Sequence, residues 1–330
     1  MASVYRTMEA GETPVRRSTQ LLGLGLLLVL LTALISGVST FVNIYAVSGT
    51  NSDAFVTVRN GMVALMLVPL AFVTTLGVPR ATLRRVDWAR LVTIGIVGGG
   101  IPFLLFFYGL QLATVNGGGV TASFLYRTLF IFATVFGIFY LKERFHWRIV
   151  LVVTLLLGGD LLLLSLTSPV WTDGSLFVLA ATVLWAVEYT ISKRTLRDLP
   201  SGTVALGRMG FGAIFLICYL GATAQFSAVG TLNGGQWSWV VISAILLTAF
   251  CAAWYAGLQH VDLGVASAVL VLGFPITWLL SVAVAGSSFT ILEVVGAVAI
   301  AGGVVVAVGT HAFRSTWEYV RSSAWFRPST

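Results

Sequence analysis

The sequence predicts an all-α membrane protein with ten transmembrane helices, arranged as two inverted five-helix repeats with the N and C termini in the cytoplasm. Three observations lead to this prediction. Ten hydrophobic runs divide the chain, the basic residues fall in alternate connections, and short motifs recur about 148 positions apart. Together they predict the number of spans, their orientation and their relation to one another.

The hydrophobic runs dominate the composition. Hydrophobic residues make up 58% of the 330 residues and charged residues only 9%, whereas a typical soluble domain carries about 25% charged residues. Most of the runs have the ~20 residues that a helix needs to cross ~30 Å of hydrocarbon. The ten runs cover residues 21–47, 54–76, 91–111, 117–141, 149–166, 174–192, 202–224, 239–258, 264–285 and 291–311.

The basic residues predict the orientation of the spans. Of the 19 lysines and arginines, 16 lie in the N-terminal segment, the second, fourth and sixth connections, and the C-terminal segment. The first, third, fifth, seventh and ninth connections contain none. Because short loops rich in Lys and Arg stay cytoplasmic, both ends are predicted inside the cell, as a tail of residues 1–20 and an amphipathic tail of residues 312–330. This distribution explains the net charge of +7 without a nucleic-acid partner.

The two halves of the chain resemble one another weakly. Three sets of residues recur at offsets of 148, 149 and 144 positions, and the change in offset indicates a four-residue deletion after Gln259. The matches predict two repeats, residues 21–166 and 174–311. The recurring residues are Gly109–Gln111 with Gly257–Gln259, Arg59 with Arg208, and Gly158-Gly159 with Gly302-Gly303.

The odd number of spans in each repeat has a consequence for function. After five spans the chain lies on the opposite side of the membrane, so the second repeat is inverted relative to the first. Inverted repeats are typical of secondary transporters, whose substrate site lies between the repeats near the bilayer midplane. A duplication kept only for packing is the alternative.

Several short motifs occur in the order found in a known family. They are Ser36-Gly37 with Phe41 in span one, Trp185-Ala186 in span six, Arg59 and Arg208 early in the second helix of each repeat, Lys142-Glu143-Arg144 after span four, and Pro275 in span nine. With the span count and the repeat, they resemble the EamA branch of the drug/metabolite transporter superfamily over residues 20–311. The chain departs from the family pattern in span four, which has Arg127 and no proline, and at Ser287-Ser288, where the second Glu-Arg pair is missing. The resemblance implies transport of small metabolites, often outward.

Five ionisable residues lie well inside the predicted spans: Arg59, Arg127, Asp160, Glu188 and Arg208. Such residues are costly in hydrocarbon and face a partner or a wet cavity. Glu188 and Arg208 lie roughly 7 and 10 Å from the cytoplasmic edge on adjacent helices, which predicts an ion pair. The alternative is that Glu188 takes up and releases a coupling proton. Arg59 and Asp160 lie about 10 Å from the outer edge and are interpreted as buried structural charges.

Arg127 is the predicted substrate contact. It lies roughly 15 Å deep, opposite the part of span nine that contains Pro275. A proline leaves a helical carbonyl without its donor, and a charge opposite a broken helix is typical of transporter sites. If three arginines meet two carboxylates, one arginine stays available for an anionic substrate group. The alternative is an Arg127–Asp160 pair, with Arg59 reaching the outer interface.

Aromatic residues gather around this predicted pathway. Tyr126 precedes the predicted substrate arginine, and Trp254-Tyr255 end span eight. These three residues either line the pathway or anchor helix ends at the membrane interface. Phe106 and Phe107 are interpreted as interface anchors.

Span three contains a run of helix-weakening residues, Gly98, Gly99, Gly100 and Pro102. Such a run permits a bend, so it predicts a hinge for alternating access. The alternative is close packing of helices through small residues.

The sequence thus predicts a secondary active transporter of the cytoplasmic (inner) membrane, with export of amino acids or related organic acids by alternating access as the leading interpretation. Phosphorylated metabolites or nucleotide sugars are the alternative substrates, and a non-transporting membrane scaffold or sensor is the alternative of a different class. No buried Ser-His pair, HExxH or paired-Asp motif predicts an enzyme or a metal site. No GxxxxGK[ST] loop predicts ATP as the energy source. We expect no cofactor and no nucleic-acid partner; the expected partners are the small-molecule substrate and membrane lipid, and monomer or homodimer is left open.

Overall fold

The computed structural model describes residues 14–46, 51–75, 83–165, 168–286 and 288–322, and all regular structure in these residues is helical. The N-terminal half contains α1 (Pro14–Ala46), α2 (Ser52–Thr75), α3 (Arg85–Ile94), a π-helix (Gly95–Gly100), α4 (Ile101–Val115), α5 (Gly119–Arg127), α6 (Leu129–Leu141) and α7 (Arg148–Leu163). The C-terminal half contains α8 (Asp173–Thr195), α9 (Ser201–Ala222), α10 (Ser227–Gly230), α11 (Gly234–Leu258), α12 (Leu263–Leu270), α13 (Gly273–Ala285) and α14 (Ile291–Ser322).

Nine helical stretches in this part of the chain are long and apolar enough to cross a membrane. Three of them, the predicted spans three, four and nine, are composed of shorter helical segments that follow one another. The predicted fifth span is α7, whose 16 residues extend ~24 Å against a hydrocarbon core of ~30 Å. The count of ten spans and the cytoplasmic position of the termini therefore remain predictions.

The two predicted tails lie mostly outside the described residues. Helix α1 already begins at Pro14, and residues 1–13 are not described. Helix α14 continues to Ser322 past a break at Gly309, where φ is 72° and ψ is 160°. The side chains that define the predicted amphipathic face, and residues 323–330, lie outside the described part.

The helices of the two halves pack in pairs that exchange symmetrically. Helix α1 (span one) packs on α11 (span eight), and helix α8 (span six) packs on α4 (span three). Exchanging the two halves of the chain turns one of these pairs into the other. Spans two and seven pack through α2 and α9, spans four and nine through α6 and α12, and spans five and ten through α7 and α14, and each of these pairs of spans maps to itself. A pseudo-two-fold axis between the halves produces this pattern.

Glycines allow the paired helices to approach closely. A Cβ atom on Gly257 of α11 would lie 3.0 Å from the carbonyl oxygen of Gly25 on α1. A Cβ on Gly174 of α8 would lie 2.4 Å from the carbonyl oxygen of Gly109 on α4. Gly109 and Gly257, the glycines whose offset indicated the repeat, thus occupy equivalent contacts between helices, as expected for small residues at helix interfaces in membranes.

The packing of α7 against α14 can be tested with two adjacent glycines of α7, because only one of them lies in the contact. A Cβ on Gly159 would lie 2.7 Å from the Ile300 side chain and 2.8 Å from the carbonyl oxygen of Gly296, whereas a Cβ on Gly158 meets nothing within 4 Å. We expect Gly159→Ala to lower the free energy of unfolding by about 1–3 kcal/mol through overpacking. Gly158→Ala is the matched control and should be neutral or slightly stabilising, because alanine is the better helix former. Equal melting temperatures for the two variants in detergent would contradict the contact.

Two spans are broken at equivalent points. Helices α5 and α6 are separated at Thr128, and α12 and α13 at Val271-Leu272, which matches the 144-residue offset of the repeat after Gln259. The same two spans end in residues with left-handed backbone, Lys142 (φ 61°) and Gly286 (φ 67°), again 144 positions apart. Spans four and nine therefore follow the same interrupted backbone path.

Candidate functional site

The middle of span three is the π-helix Gly95–Gly100, and its carbonyl groups bind neighbouring helices. A π-helix departs from the usual i→i−4 bonding and often marks a functional site. The Gly98 carbonyl accepts a hydrogen bond from Trp185 Nε1 of α8 at 3.0 Å, and the Gly99 carbonyl accepts one from Asn60 Nδ2 of α2 at 3.2 Å. A Cβ on Gly98 would lie 2.3 Å from Glu188 Cγ. The glycine run thus packs directly against the buried Glu188 carboxylate group.

Glu188 of α8 and Arg208 of α9 form a buried ion pair. Arg208 Nε lies 3.4 Å from Glu188 Oε2, and the side chains are 3% and 0% exposed. The other carboxylate oxygen, Oε1, accepts hydrogen bonds from the hydroxyl groups of Ser192 and Tyr255. Glu188 Oε2 and Arg208 Nε, the two atoms that face each other, form no hydrogen bond with any described residue. The structure therefore has the Glu188–Arg208 ion pair that the sequence predicted. Uptake and release of a coupling proton by Glu188 stays a prediction.

Arg127, the predicted substrate contact, is paired with Asp160 of α7. Its Nη1 donates to Asp160 Oδ1 at 2.9 Å, and its guanidinium carbon lies 4.1 Å from the ring centre of Phe274. The arginine side chain is 12% exposed and the aspartate is fully buried. The structure has the Arg127–Asp160 pair that the sequence left open as the alternative, and a substrate contact of Arg127 stays a prediction.

Of the three arginines inside the predicted spans, Arg59 is the one that forms no ion pair with a described residue. It is 3% exposed, and its Nε and Nη2 both donate to Asn60 Oδ1 at 3.1 Å. Its guanidinium carbon lies 5.0 Å from the ring centre of Phe103, with Phe55 and Phe107 at 5.8 and 6.0 Å. The alternative with an Arg127–Asp160 pair placed Arg59 at the outer interface, whereas in the structure these rings enclose it and it is buried. The described residues therefore provide no negative partner for this buried positive charge.

Arg59 and Arg208 occupy equivalent positions in the two halves but differ in their surroundings. Their charges repel one another across the contact between α2 and α9. Arg208 has Glu188, Cys251 and Tyr255 around it, and its Nη1 lies 4.0 Å from Cys251 Sγ. Around Arg59, two phenylalanines occupy the positions that match Cys251 and Tyr255. The matching positions at offsets of 148–149 are Phe103 with Cys251, Phe107 with Tyr255, and Ser39 with Glu188. The same helix positions thus carry a compensated arginine in one half and an uncompensated arginine in the other.

A series of aromatic rings in contact connects the surroundings of Arg127 with those of Arg59. From Phe274 the ring centres follow one another to Tyr126 at 6.0 Å, to Trp185 at 5.5 Å and to Phe103 at 5.3 Å. Phe106 packs against Tyr126 and Trp185 at 4.9 and 5.4 Å. Its interpretation as an interface anchor is wrong, because the rotation of α4 turns the ring toward α5 and α8. Such rings can wall a metabolite pathway.

Trp254 and Tyr255, for which the sequence left two roles open, are both fully buried. Trp254 contacts Tyr189 at 4.7 Å between ring centres and stacks on Phe250 at 6.3 Å. Its indole N–H has no acceptor within the described residues. Because Tyr255 donates to Glu188 at 2.7 Å, both side chains belong to the buried cluster and not to the membrane interface.

Pro275 lies in the first turn of α13, after the break in span nine. A proline cannot donate to the carbonyl four residues before it, which is that of Val271. This carbonyl accepts a hydrogen bond from the backbone N–H of Phe274 at 3.0 Å. The prediction of an unpaired carbonyl at this point is therefore wrong, because the chain tightens into an i+3 hydrogen bond before the proline.

Glu143 joins the two halves at the predicted cytoplasmic ends of spans four and nine. Its carboxylate accepts hydrogen bonds from the backbone N–H groups of Leu263 and Gly264, at 2.6 and 3.1 Å. These are the first residues of α12, where the helix dipole favours a negative charge. Burial raises the pKa of Glu143, and the two N–H groups oppose that shift.

Comparisons with known proteins agree on the class of this molecule. The model of the family described as the EamA-like transporter family matches residues 23–165 and 172–309. The uncharacterized transporter YyaM of Bacillus subtilis (strain 168) is 24% identical over 253 residues, which cover 74% of this chain and 80% of that protein. A protein of known crystal structure is 18% identical and superposes with a TM-score of 0.68 over 86% of this chain and 96% of the other; this likeness shows the fold alone.

Proposed function

Because this chain belongs to the EamA-like transporter family, we propose that it is a secondary active transporter of the cytoplasmic membrane that exports amino acids or related organic acids by alternating access. The transporter role is the one the family carries. The substrate class, the direction and the mechanism are the parts that we propose here.

The single observation that carries the substrate class is the uncompensated charge of Arg59. A buried ion without a partner is strongly unfavourable in a low-dielectric interior. An anionic group on a ligand would supply the missing charge, and the planar guanidinium suits a carboxylate in particular. Binding of a carboxylate-bearing substrate next to Arg59 would relieve both the unpaired charge and its repulsion with Arg208.

The neighbouring ion pair supports an amino acid or a monocarboxylate over a doubly charged phosphate. Arg59, Arg208 and Glu188 together carry a formal charge of +1 when all three are ionised, which a single carboxylate neutralises. Glu188 Oε2 accepts no hydrogen bond from a described residue, so a substrate ammonium group would share this oxygen with Arg208, whose Nε lies 3.4 Å away. A zwitterion would thus find a cation and an anion in one buried cluster.

The interrupted spans support alternating access. Broken helices at matching positions of two repeats are typical of secondary transporters, in which one repeat moves against the other. Here the breaks at Thr128 and at Val271-Leu272 lie on α5–α6 and α12–α13, which pack across the pseudo-two-fold axis. Outward movement is the direction that the family resemblance implies.

Solute flux in proteoliposomes tests the proposal. The purified protein is reconstituted without nucleotide, and counterflow of radiolabelled amino acids, monocarboxylates, sugar phosphates and nucleotide sugars is measured in the presence of an ion gradient. We expect counterflow of amino acids or monocarboxylates that does not require ATP. Flux of the phosphorylated compounds alone would contradict the proposed substrate class and favour sugar phosphates or nucleotide sugars. Binding of a compound without any flux would indicate a sensor.

A further inference from the structure

A cavity apart from the buried arginine cluster lies between α6, α7, α12 and α14, with a volume of about 410 Å³. Its inner wall is apolar. Its rim is the connection between α6 and α7, which contributes Arg144 and His146, together with Arg148, the first residue of α7. The apolar wall includes Ile138, Val152, Val153, Val265, Val306 and Ala307. The cavity is therefore amphipathic, with a basic rim and a hydrocarbon-like interior.

The two arginines at the rim have no ion-pair partner among the described residues. Arg144 and Arg148 are exposed, and neither forms an ion pair or a side-chain hydrogen bond with any described residue. Two carboxylates also line the cavity. Glu143 accepts the backbone N–H groups of α12, and Asp262, the residue before α12, is a single acidic side chain against two arginines. The rim thus presents unpaired positive charge.

The same connection carries exposed aromatic rings. Phe145 is 61% exposed and Trp147 is 74% exposed, and they alternate with the basic residues along the segment 144–148. Aromatic residues of this kind are enriched where a protein meets the membrane–water interface. The exposed rings therefore favour a rim at the level of the lipid headgroups, with the apolar wall facing the acyl chains.

We propose that this cavity is a binding site for an anionic phospholipid, whose phosphate contacts Arg144 and Arg148 and whose acyl chain lies along the valine-rich wall. Charge complementarity selects an anion, because the rim has cations without partners. The apolar interior selects an amphipathic molecule over a soluble anion. Basic pockets between transmembrane helices are the kind of site that anionic headgroups occupy.

Native mass spectrometry of the delipidated protein tests the proposal with phosphatidylglycerol as the probe and phosphatidylcholine of the same acyl chains as the comparison. We expect phosphatidylglycerol to bind more tightly. Arg144→Gln and Arg148→Gln should each weaken it on the order of fivefold. Arg197→Gln removes an exposed arginine that does not line the cavity, and it should leave the affinity unchanged.

Two further arms separate a lipid site in the cavity from attraction of anions to the basic rim alone. Ala307→Phe adds a ring to the apolar wall without a change in charge, so it should also weaken phosphatidylglycerol binding. Glycerol phosphate, which has the headgroup chemistry without the chains, should not displace the lipid at equal concentration. Equal binding of both lipids, equal loss in Arg197→Gln, an unaffected Ala307→Phe variant, or displacement by glycerol phosphate would each overturn the proposal. None of these outcomes bears on substrate transport.

Discussion

Arg208→Gln is expected to lower the free energy of unfolding by about 3–5 kcal/mol, because it leaves the fully buried Glu188 carboxylate without its charged partner. Glu188 keeps the hydroxyl groups of Ser192 and Tyr255, which do not supply a positive charge. Glu188→Gln should have a loss of similar size, since it leaves the Arg208 guanidinium uncompensated. Unfolding of the purified protein in detergent measures both changes.

The double variant separates an ion pair from two independent structural roles. Glu188→Gln with Arg208→Gln removes both charges, so it should lose clearly less stability than the sum of the two single variants. Arg197→Gln removes an exposed arginine and is the control for loss of an arginine; it should stay within about 0.5 kcal/mol of the parent. Additive losses in the double variant would show that the two side chains do not interact.

Arg59→Gln is expected to weaken the transport affinity for carboxylate substrates about ten- to hundredfold. A hydrogen bond to a charged group contributes about 1.5–3 kcal/mol, and each 1.4 kcal/mol corresponds to a factor of ten. The KM for substrate in proteoliposomes measures the effect. Arg59→Lys keeps the charge but not the planar fork, so its KM should lie between those of the parent and Arg59→Gln.

Arg127→Gln is the matched comparison, because it also removes a buried arginine. Its guanidinium is held by Asp160 at 2.9 Å and by the ring of Phe274. We therefore expect this variant to melt at a lower temperature and to keep the KM of the parent. A raised KM in Arg127→Gln with an unchanged KM in Arg59→Gln would reverse the assignment of the two residues.

The sequence alone predicted the helical membrane fold, most span positions and the correspondence between the halves, because these depend on composition and spacing. Hydrophobic runs and their length define the spans directly. The offsets of 148 and 144 positions also located equivalent features that had no obvious motif, such as Lys142 and Gly286 at the ends of α6 and α13. Even α7, which is shorter than the hydrocarbon core, occupies the run predicted for span five.

The pairing of the buried charges was predicted only in part, because spacing along a helix gives depth and not direction. Glu188 and Arg208 lie at similar depth on helices that also face one another, so the depth argument was sufficient. Arg127 and Asp160 differ by roughly 5 Å in predicted depth, yet the long arginine side chain covers that distance. The contact depends on how α5 and α7 are rotated about their axes, and the spacing of residues in one sequence does not predict that rotation.

The helix breaks differ in how visible they are in the sequence. The glycine run of span three predicted a weakened helix, and the structure has a π-helix there. The break at Thr128 has no proline or glycine beside it, so neither of the usual helix-breaking residues marks it. The structure shows this break, and its counterpart at Val271-Leu272 precedes Pro275, which does mark the sequence of span nine. Only one of the two equivalent breaks therefore has a local sequence signal.

Thermal stability of the purified protein against a panel of ligands tests most directly whether Arg59 receives the substrate anion. The panel contains neutral, cationic, zwitterionic, monocarboxylate and phosphorylated metabolites, and the proteins are the parent, Arg59→Gln and Arg127→Gln. A ligand at ~100 times its dissociation constant stabilises the folded state by about 2.7 kcal/mol. We predict that amino acids or monocarboxylates raise the melting temperature of the parent and of Arg127→Gln, but not that of Arg59→Gln. The same stabilisation in Arg59→Gln as in the parent would contradict the assignment and show that the unpaired arginine serves the fold alone.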